Sequence, residues 1–387
     1  MAIIEQDVLE GVLPDLIALR HTIHSWPDLS GHEMPTANRL LDYLSPFKPE
    51  QVHKGLSGCG LAVVFAGNQA GPTTIFSCEL DAVPIADRGR VIYRSQVPEA
   101  GHMCGHDGHM AAVAGLGVLL GKRRPLRGQV VLLFRPQEET GQGAPVILAD
   151  PRIVEMNPDY IFGFHNMPGY PLGAVLYRRG LFAWAATDYV FELIGKSSHG
   201  GQPEAGRSPA MALSQIIERL ENLTAWSGLD PECNDSQAAY AQLGESDHGT
   251  TPGIARMRAT LRSESDEALK ELCRKIDQAV GKIARAHGLQ WHGLPENWIP
   301  ATHSHGQALD LVLACAREAG LHILELDQAQ RWSDDFGVLT QHYPGAFIGL
   351  GSGSGCGQLH SSDYDFPDDI LKSALQLYWR IVTQLNG

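Results

Sequence analysis

The stretch Gly101-His102-Met103-Cys104-Gly105-His106-Asp107-Gly108-His109 gathers a thiol, three imidazoles and a carboxylate among three glycines. Cys104 and His106 stand two apart, a spacing that puts them on different sides of a helix, so they can aim at one ion only across a bend in the backbone. Gly105 and Gly108 permit that bend. The apolar, Ala- and Gly-rich run Met110–Leu120 follows at once and predicts a helix, with the cluster in the loop that enters it. A metal-binding turn of this kind needs further ligands from elsewhere in the chain.

Working outward, residues 61–66 and 73–78 read as strands, and the second runs into Glu79-Leu80-Asp81-Ala82-Val83-Pro84. Residues 129–134 predict a strand that leads into Arg135-Pro136-Gln137-Glu138-Glu139-Thr140-Gly141, and residues 160–164 one that ends at His165-Asn166-Met167-Pro168-Gly169. Each of these last three strands delivers a carboxylate or an imidazole past its C-terminal end. Strands alternating with helices in this way predict an α/β fold, an open mixed sheet flanked by helices, with a site in the crevice along that edge. Neighbouring strand residues face opposite ways, so Glu138 and Glu139 can share the site only if the chain has already turned at Pro136. The Gly-rich run 349–357 reads as a turn after a strand, because no Lys-Ser/Thr pair accompanies it; His360 stands just beyond.

The pattern changes after Gly180. Residues 187–193 and 254–262 alternate like strands, residues 208–223 and 266–287 read as helices, and Gly288 is placed as a C-cap. This order predicts a small two-layer α+β insertion over residues 184–296, closed by a connector at 295–300, within a larger domain formed by 1–183 and 297–387. Helices are expected at 8–24, stopped by Trp26-Pro27, and at about 307–319 and 369–385.

The 387 residues, 43% hydrophobic, can bury a substantial core. A net charge of −14 without a Lys/Arg block argues against nucleic acid or an anionic membrane as partner. The apolar runs fall short of a membrane span, and Met1–Asp7 lacks the basic start and apolar core of a signal peptide, so a cytoplasmic protein is expected. Seven scattered cysteines without CxxC spacing exclude a disulfide framework.

Hydrolysing an amide near neutral pH needs a polarised carbonyl, an activated water and a group that moves its proton; two divalent ions beside a carboxylate supply all three. The candidates are Cys104, His106, Glu138 or Glu139, His165, His360 and Asp81. His21, His24, His109, His303, His305 and His322 read as structural or surface residues, and Asp107 as the N-cap of the helix. A rival reading makes Cys104 a nucleophile activated by His106, but two-residue spacing on a tight turn is poor geometry for that and leaves the other ligands unexplained.

The same residues resemble the M20 metallopeptidases, in particular the amidohydrolase branch with hippurate hydrolases, auxin-conjugate hydrolases and bacterial N-acyl-amino-acid deacylases. The resemblance spans nearly the whole chain and rests on Leu80-Asp81-Ala82-Val83-Pro84, Cys104-Gly105-His106-Asp107-Gly108-His109, Pro136-Gln137-Glu138-Glu139, His165-Asn166-Met167-Pro168, Ser198-His199-Gly200-Gly201 and Leu359-His360-Ser361-Ser362-Asp363. It implies two divalent ions, zinc foremost with manganese, cobalt or nickel as alternatives, held by Cys104, His106, Glu139, His165 and His360. Glu138 would be the general base and later proton donor, and Asp81 would orient a ligand histidine. The insertion would be a lid and dimerisation domain, which implies a homodimer; His199 would stabilise the oxyanion and Arg262 grip a substrate carboxylate. The implied reaction is cleavage of N-acyl amino acids or related small amide conjugates, with a dipeptidase or aminopeptidase as the alternative. Two departures stand out: Glu79 stands where the branch has aspartate, a mild change in the surroundings of the ligands, and Gly249-Thr250-Thr251-Pro252-Gly253-Ile254 stands where it has Asn-x-Ile-Pro, which bears on substrate more than on reaction.

Overall fold

The apolar runs become the central strands of an eight-stranded mixed sheet in the computed structural model, which describes residues 6–246 and 248–387. Met1–Glu5, on which most of the leader reading falls, lie outside the described residues. Across the sheet the strands run Gln51–Leu56, Gly60–Ala66, Arg127–Arg135, Gln69–Glu79, Tyr160–Met167, Gly345–Gly351, Val175–Tyr177 and Ile323–Glu325. The four from Arg127–Arg135 to Gly345–Gly351 are parallel to one another, and their Val-, Ile-, Leu- and Phe-rich sequences are buried towards their C-terminal ends. From Gln69–Glu79 the chain passes to the neighbour on one side, Arg127–Arg135, and then crosses to the neighbour on the other, Tyr160–Met167. Open α/β sheets bind ligands outside the carboxyl ends of the strands where the order reverses in this way.

The helix predicted from Met110 starts earlier, at His106, and extends to Lys122. Gly105, at φ 90°, turns the chain directly into the helix. His106, Asp107 and His109 therefore occupy its first turn instead of a preceding loop, and the N-cap is Gly105, not Asp107. Every residue from His106 to Leu120 is buried, as a helix apolar all round requires. Its glycines let neighbours approach closely: Gly115 faces Leu16 and Leu375, Gly117 faces Leu44 and Leu132, and Gly108 faces the ring of Phe366. His165 likewise lies inside its strand, near the C-terminal end, and not beyond it.

Two compact units divide the chain. The first runs to Phe182 and resumes with Thr302–Gln328 and Asp334–Gly387; the second comprises Ala183–Ala301 and Ala329–Ser333. The second unit is a four-stranded antiparallel sheet, in the order Asn234–Leu243, Ile254–Ser263, Ala185–Ile194, Gln290–Ile299, against which the helices Ala210–Glu221 and Asp266–Ala286 pack. Along Ile254–Ser263, Ala255, Met257, Ala259 and Leu261 are buried while the arginines between them face outward. Periodicity missed two of these strands. The segment 295–300, expected to be a connector, is mostly strand: Pro295 pairs with Tyr189 on an edge strand, where a missing N–H is tolerated. Among the described residues no helix is long and apolar enough to cross a membrane, and all seven cysteines are free.

A Cβ on Gly108 would press into the buried Phe366 ring. Helix propensity alone favours alanine there by about 0.5–1 kcal/mol, whereas overpacking a filled site costs about 1–3 kcal/mol. Gly108→Ala is therefore expected to lower the Tm by several degrees; calorimetry showing an unchanged or higher Tm would refute the close approach.

Candidate metal centre

The expected turn beyond Pro136 is present. Gln137 adopts φ 58°, and Glu138–Thr140 form one 3-10 turn that brings both carboxylates to the sheet edge. The turn is held from outside: the Gln137 N–H donates to Glu33 Oε1 (2.8 Å), and the Glu139 N–H donates to Asp81 Oδ2 (3.0 Å), which also accepts from Ser30 Oγ (2.7 Å).

Three imidazoles and the thiol converge on these carboxylates. His106 Nδ1 donates to the main-chain oxygen of Asp81 (2.8 Å), which turns Nε2 towards Glu138 Oε2 and Glu139 Oε1, 3.9 Å from each. Asp81 thus fixes the His106 ring through its carbonyl, and its carboxylate, 3.7 Å from Nδ1, fixes Glu139. His165 Nδ1 donates to the Asn166 carbonyl (2.9 Å), and its Nε2 lies 3.4 Å from Cys104 Sγ. His360, at φ 61° and half exposed, brings Nε2 to 3.4 Å from Glu139 Oε1. Donor atoms of Cys104, His106 and His165 lie within 4.8 Å of one another, as do those of Cys104, Glu139 and His360, and of His106, Glu138 and Glu139.

These residues fit a pair of divalent cations. His106 Nε2 and Glu139 Oε1 are buried and make no hydrogen bond, a costly state for polar atoms unless something else satisfies them. A thiol, imidazoles and carboxylates are the donors that zinc accepts, and manganese tolerates the carboxylate share. Burial, with Glu139 and Glu138 nearby, pushes the Cys104 thiol well up, so its ionisation needs an adjacent cation. The imidazole within reach of Sγ is His165, held down to about 3 by burial and by His109 and His106.

The two adjacent glutamates are driven apart. Against the effect of burial, His360 and His106 hold Glu139 down to about 2. Burial together with Asp334, Glu139 and Asp81 pushes Glu138 well above the usual carboxylate range. Paired carboxyls with opposed environments take different roles: one stays ionised and can bind a cation, the other can carry a proton.

A buried layer beneath the cleft was only partly legible. Arg135, fully buried, donates through Nε to Ser77 Oγ (2.9 Å) and through Nη2 to Glu79 Oε1 (2.5 Å), and pairs with Asp335. Glu79 Oε2 accepts from His109 Nδ1 (2.6 Å), and His109 Nε2 lies 2.6 Å from Asn166 Oδ1. An arginine closing the apolar run Val130–Phe134 was the available signal, since such a charge is buried only when paired. A second layer joins Arg20 to Asp107 (2.8 Å) and Asp365, while His24 Nδ1 lies 2.8 Å from Asp107 Oδ2. Asp107 thus serves as a buried anion for Arg20 and His24.

The other two expected residues belong to the second unit. His199 is exposed on the short ribbon formed with Thr250–Thr251, where its Nδ1 accepts from the Gly201 N–H (3.1 Å), so its neutral ring carries the proton on Nε2. Arg262 shares the outward face of its strand with Arg256 and Arg258. Arg256 pairs with Glu192 (2.9 Å) and Arg258 with Asp188 (3.2 Å), whereas Arg262 makes no ion pair among the described residues.

Known proteins resemble this chain along most of its length. The family model described as Peptidase family M20/M25/M40 matches residues 75–384. N-acetyldiaminopimelate deacetylase of Anoxybacillus flavithermus is 27% identical over 95% of this chain and 96% of its own length. Hippurate hydrolase of Campylobacter jejuni is 27% identical over 94% of each. The crystal structure of a Bacillus subtilis dinuclear metal binding peptidase from the M20 family shares the fold, with a TM-score of 0.78 at 24% identity, covering 97% of this chain and 99% of that one.

The buried His24 yields a pH dependence. Burial lowers its pKa, but Asp107 and Asp87 outweigh that and raise it from 6.5 to about 9. The native state keeps a proton that the unfolded chain loses near 6.5, so this contribution is complete below that pH and is lost as pH rises to about 9. It is of order 1–3 kcal/mol. His24→Gln should flatten the decline in stability across this window, measured by urea unfolding at several pH values; an undiminished slope would count against it.

Proposed function

The chain belongs to peptidase family M20/M25/M40, and from that premise we propose that it is a metal-dependent amidohydrolase that cleaves N-acyl amino acids or related small amide conjugates to a carboxylic acid and an amine. The observation that carries the reading is the split pair: Glu139 held ionised among Cys104, His106 and His360, and Glu138 beside it with a raised proton affinity. The deacetylase and hippurate hydrolase similar along the whole chain support the substrate class.

In this reading Cys104, His106, Glu139, His165 and His360 hold two divalent ions, zinc or manganese, with Cys104 between the two ligand sets that share it. Bound there, such ions polarise an amide carbonyl and make water nucleophilic near neutral pH. Glu138 takes the proton from the attacking water and passes it to the departing nitrogen as the C–N bond breaks. Its raised proton affinity suits the first half of that transfer, since a carboxylate in the ordinary range is a weaker base towards the water. Asp81 keeps His106 and Glu139 in place through its carbonyl and carboxylate. His199, with its proton on Nε2, is assigned to the oxyanion, and Arg262, which makes no ion pair among the described residues, to the substrate carboxylate. The second unit is assigned as lid and dimerisation domain, supported by the unpaired outer edge of Asn234–Leu243, where Tyr240 and Leu243 are exposed.

Glu138→Gln preserves shape and removes the proton carrier. Turnover is expected to fall at least about 10²-fold while metal content, measured by elemental analysis, stays at the parent level; near-parent activity would remove Glu138 from its role. A panel of N-acetyl and N-benzoyl amino acids beside free dipeptides tests the substrate class. The acylated compounds should be hydrolysed, activity should vanish with a chelator and return with added metal, and preference for dipeptides would overturn the deacylase reading.

A further inference from the structure

The second unit holds a cavity of about 520 Å³ to which the roles above give no use. It opens between the helix Ala210–Glu221 with its short successor Leu223–Ser227 on one side and the long helix Asp266–Ala286 on the other. That volume lies in the range of small-molecule sites, which combine apolar walls with a few placed polar groups. One wall here is apolar: the Trp226 ring, with Ala279, Ile283 and Ala286 following one another along a single face of the long helix. The other lining is cationic, from Arg219, Lys275 and Lys282; the fourth cation, Arg274, is already paired with Glu271 through two contacts of 2.6 and 2.7 Å. Among the described residues no carboxylate lines the cavity.

The apolar wall is rigid. The Trp226 indole N–H donates to the Arg219 carbonyl (2.6 Å), and the Arg219 guanidinium sits 5.7 Å from the ring centroid. Lys275 is drawn in by a bond from its ammonium to the Ser227 carbonyl. Arg219 and Lys282 form no ion pair among the described residues, although the chain carries a net charge of −14 and has carboxylates to spare. Cations gathered around one concavity repel one another, and a bound anion relieves that repulsion.

We propose that this cavity is a second binding site, for a small organic anion with a flat apolar body, an aryl carboxylate or an aryl phosphate. The flat body lies against Trp226 and Ile283, and the anionic head meets Lys282 and Arg219. This assignment stands apart from the metal centre and does not depend on the reaction proposed there.

The test is titration of the full-length protein with benzoate, phenyl phosphate and inorganic phosphate, with calorimetry reading Kd and tryptophan emission reading place. One or both aryl anions should bind saturably, and the one that binds identifies the head group. The emission change should disappear in Trp226→Phe, and Kd should rise at least about tenfold in Lys282→Gln and in Arg219→Gln, two exposed positions, with unchanged melting and unchanged amide hydrolysis. Inorganic phosphate, lacking the flat body, should bind at least about tenfold more weakly. The proposal fails if neither aryl anion binds, if Kd is the same in both charge variants, if the emission change survives in Trp226→Phe, or if inorganic phosphate binds as tightly as the aryl compounds.

Discussion

The arrangement at the sheet edge depends on compensating an excess of buried negative charge. Glu79, Asp81, Glu138, Asp334 and Asp335 are all buried, and Glu139 nearly so, within one crevice of the first unit. Ionised carboxylates cannot stay in such a place uncompensated, because the desolvation penalty of each is several kcal/mol even after relaxation. Arg135 answers for Glu79, Asp334 and Asp335, which it contacts. Among the described residues no arginine or lysine pairs with Glu138 or Glu139: Glu139 lies among Cys104, His106 and His360, and Glu138 between His106 and the carboxylates Asp334 and Asp335. The protein cation sits under one half of the crevice, and the other half is left to cations from outside.

The fold supplies this division through its strand order. Arg135 and the Glu138–Thr140 turn end one strand, Glu79 and Asp81 end its parallel neighbour, and His165 lies near the end of the next. Charges from three strands therefore meet because the strands are adjacent, while their loops diverge. The helix that starts at His106 completes the site from a fourth direction, and the positive φ of Gly105 lets Cys104 and His106 serve the same centre although they are two residues apart. Aligned N–H groups in that first turn also favour the buried Asp107, which in turn holds Arg20 and His24.

Much of this was legible in the sequence, because ligands placed past strand ends are a pattern that periodicity can detect. Cys104, His106, Glu138, Glu139, His165 and His360 were singled out in this way or by resemblance, and the structure brings their donor atoms close to one another. The start of the central helix was not legible. Its first turn is glycine, histidine and aspartate, whose propensities say loop, and tertiary burial overrides them. The two missed strands of the second unit failed for another reason. Asn234–Leu243 is polar and largely exposed, and Gln290–Ile299 contains a glycine and a proline, so on these edge strands pairing with a neighbour, not side-chain pattern, makes the strand.

The glutamate at position 79 and the arginine at position 135 are best understood together. Glu79 uses its two oxygens on different partners, Oε1 on Arg135 and Oε2 on His109, and so ties the strand Arg127–Arg135 to the first turn of the central helix. An aspartate would be one methylene, about 1.5 Å, shorter. From the same backbone position it would keep one partner at hydrogen-bond distance and lose the other. The longer side chain is thus what couples the guanidinium beneath the cleft to His109, and through Asn166 to the strand that carries His165. The departure first read as a mild change in the surroundings of the ligands is therefore a structural link between the two sides of the site.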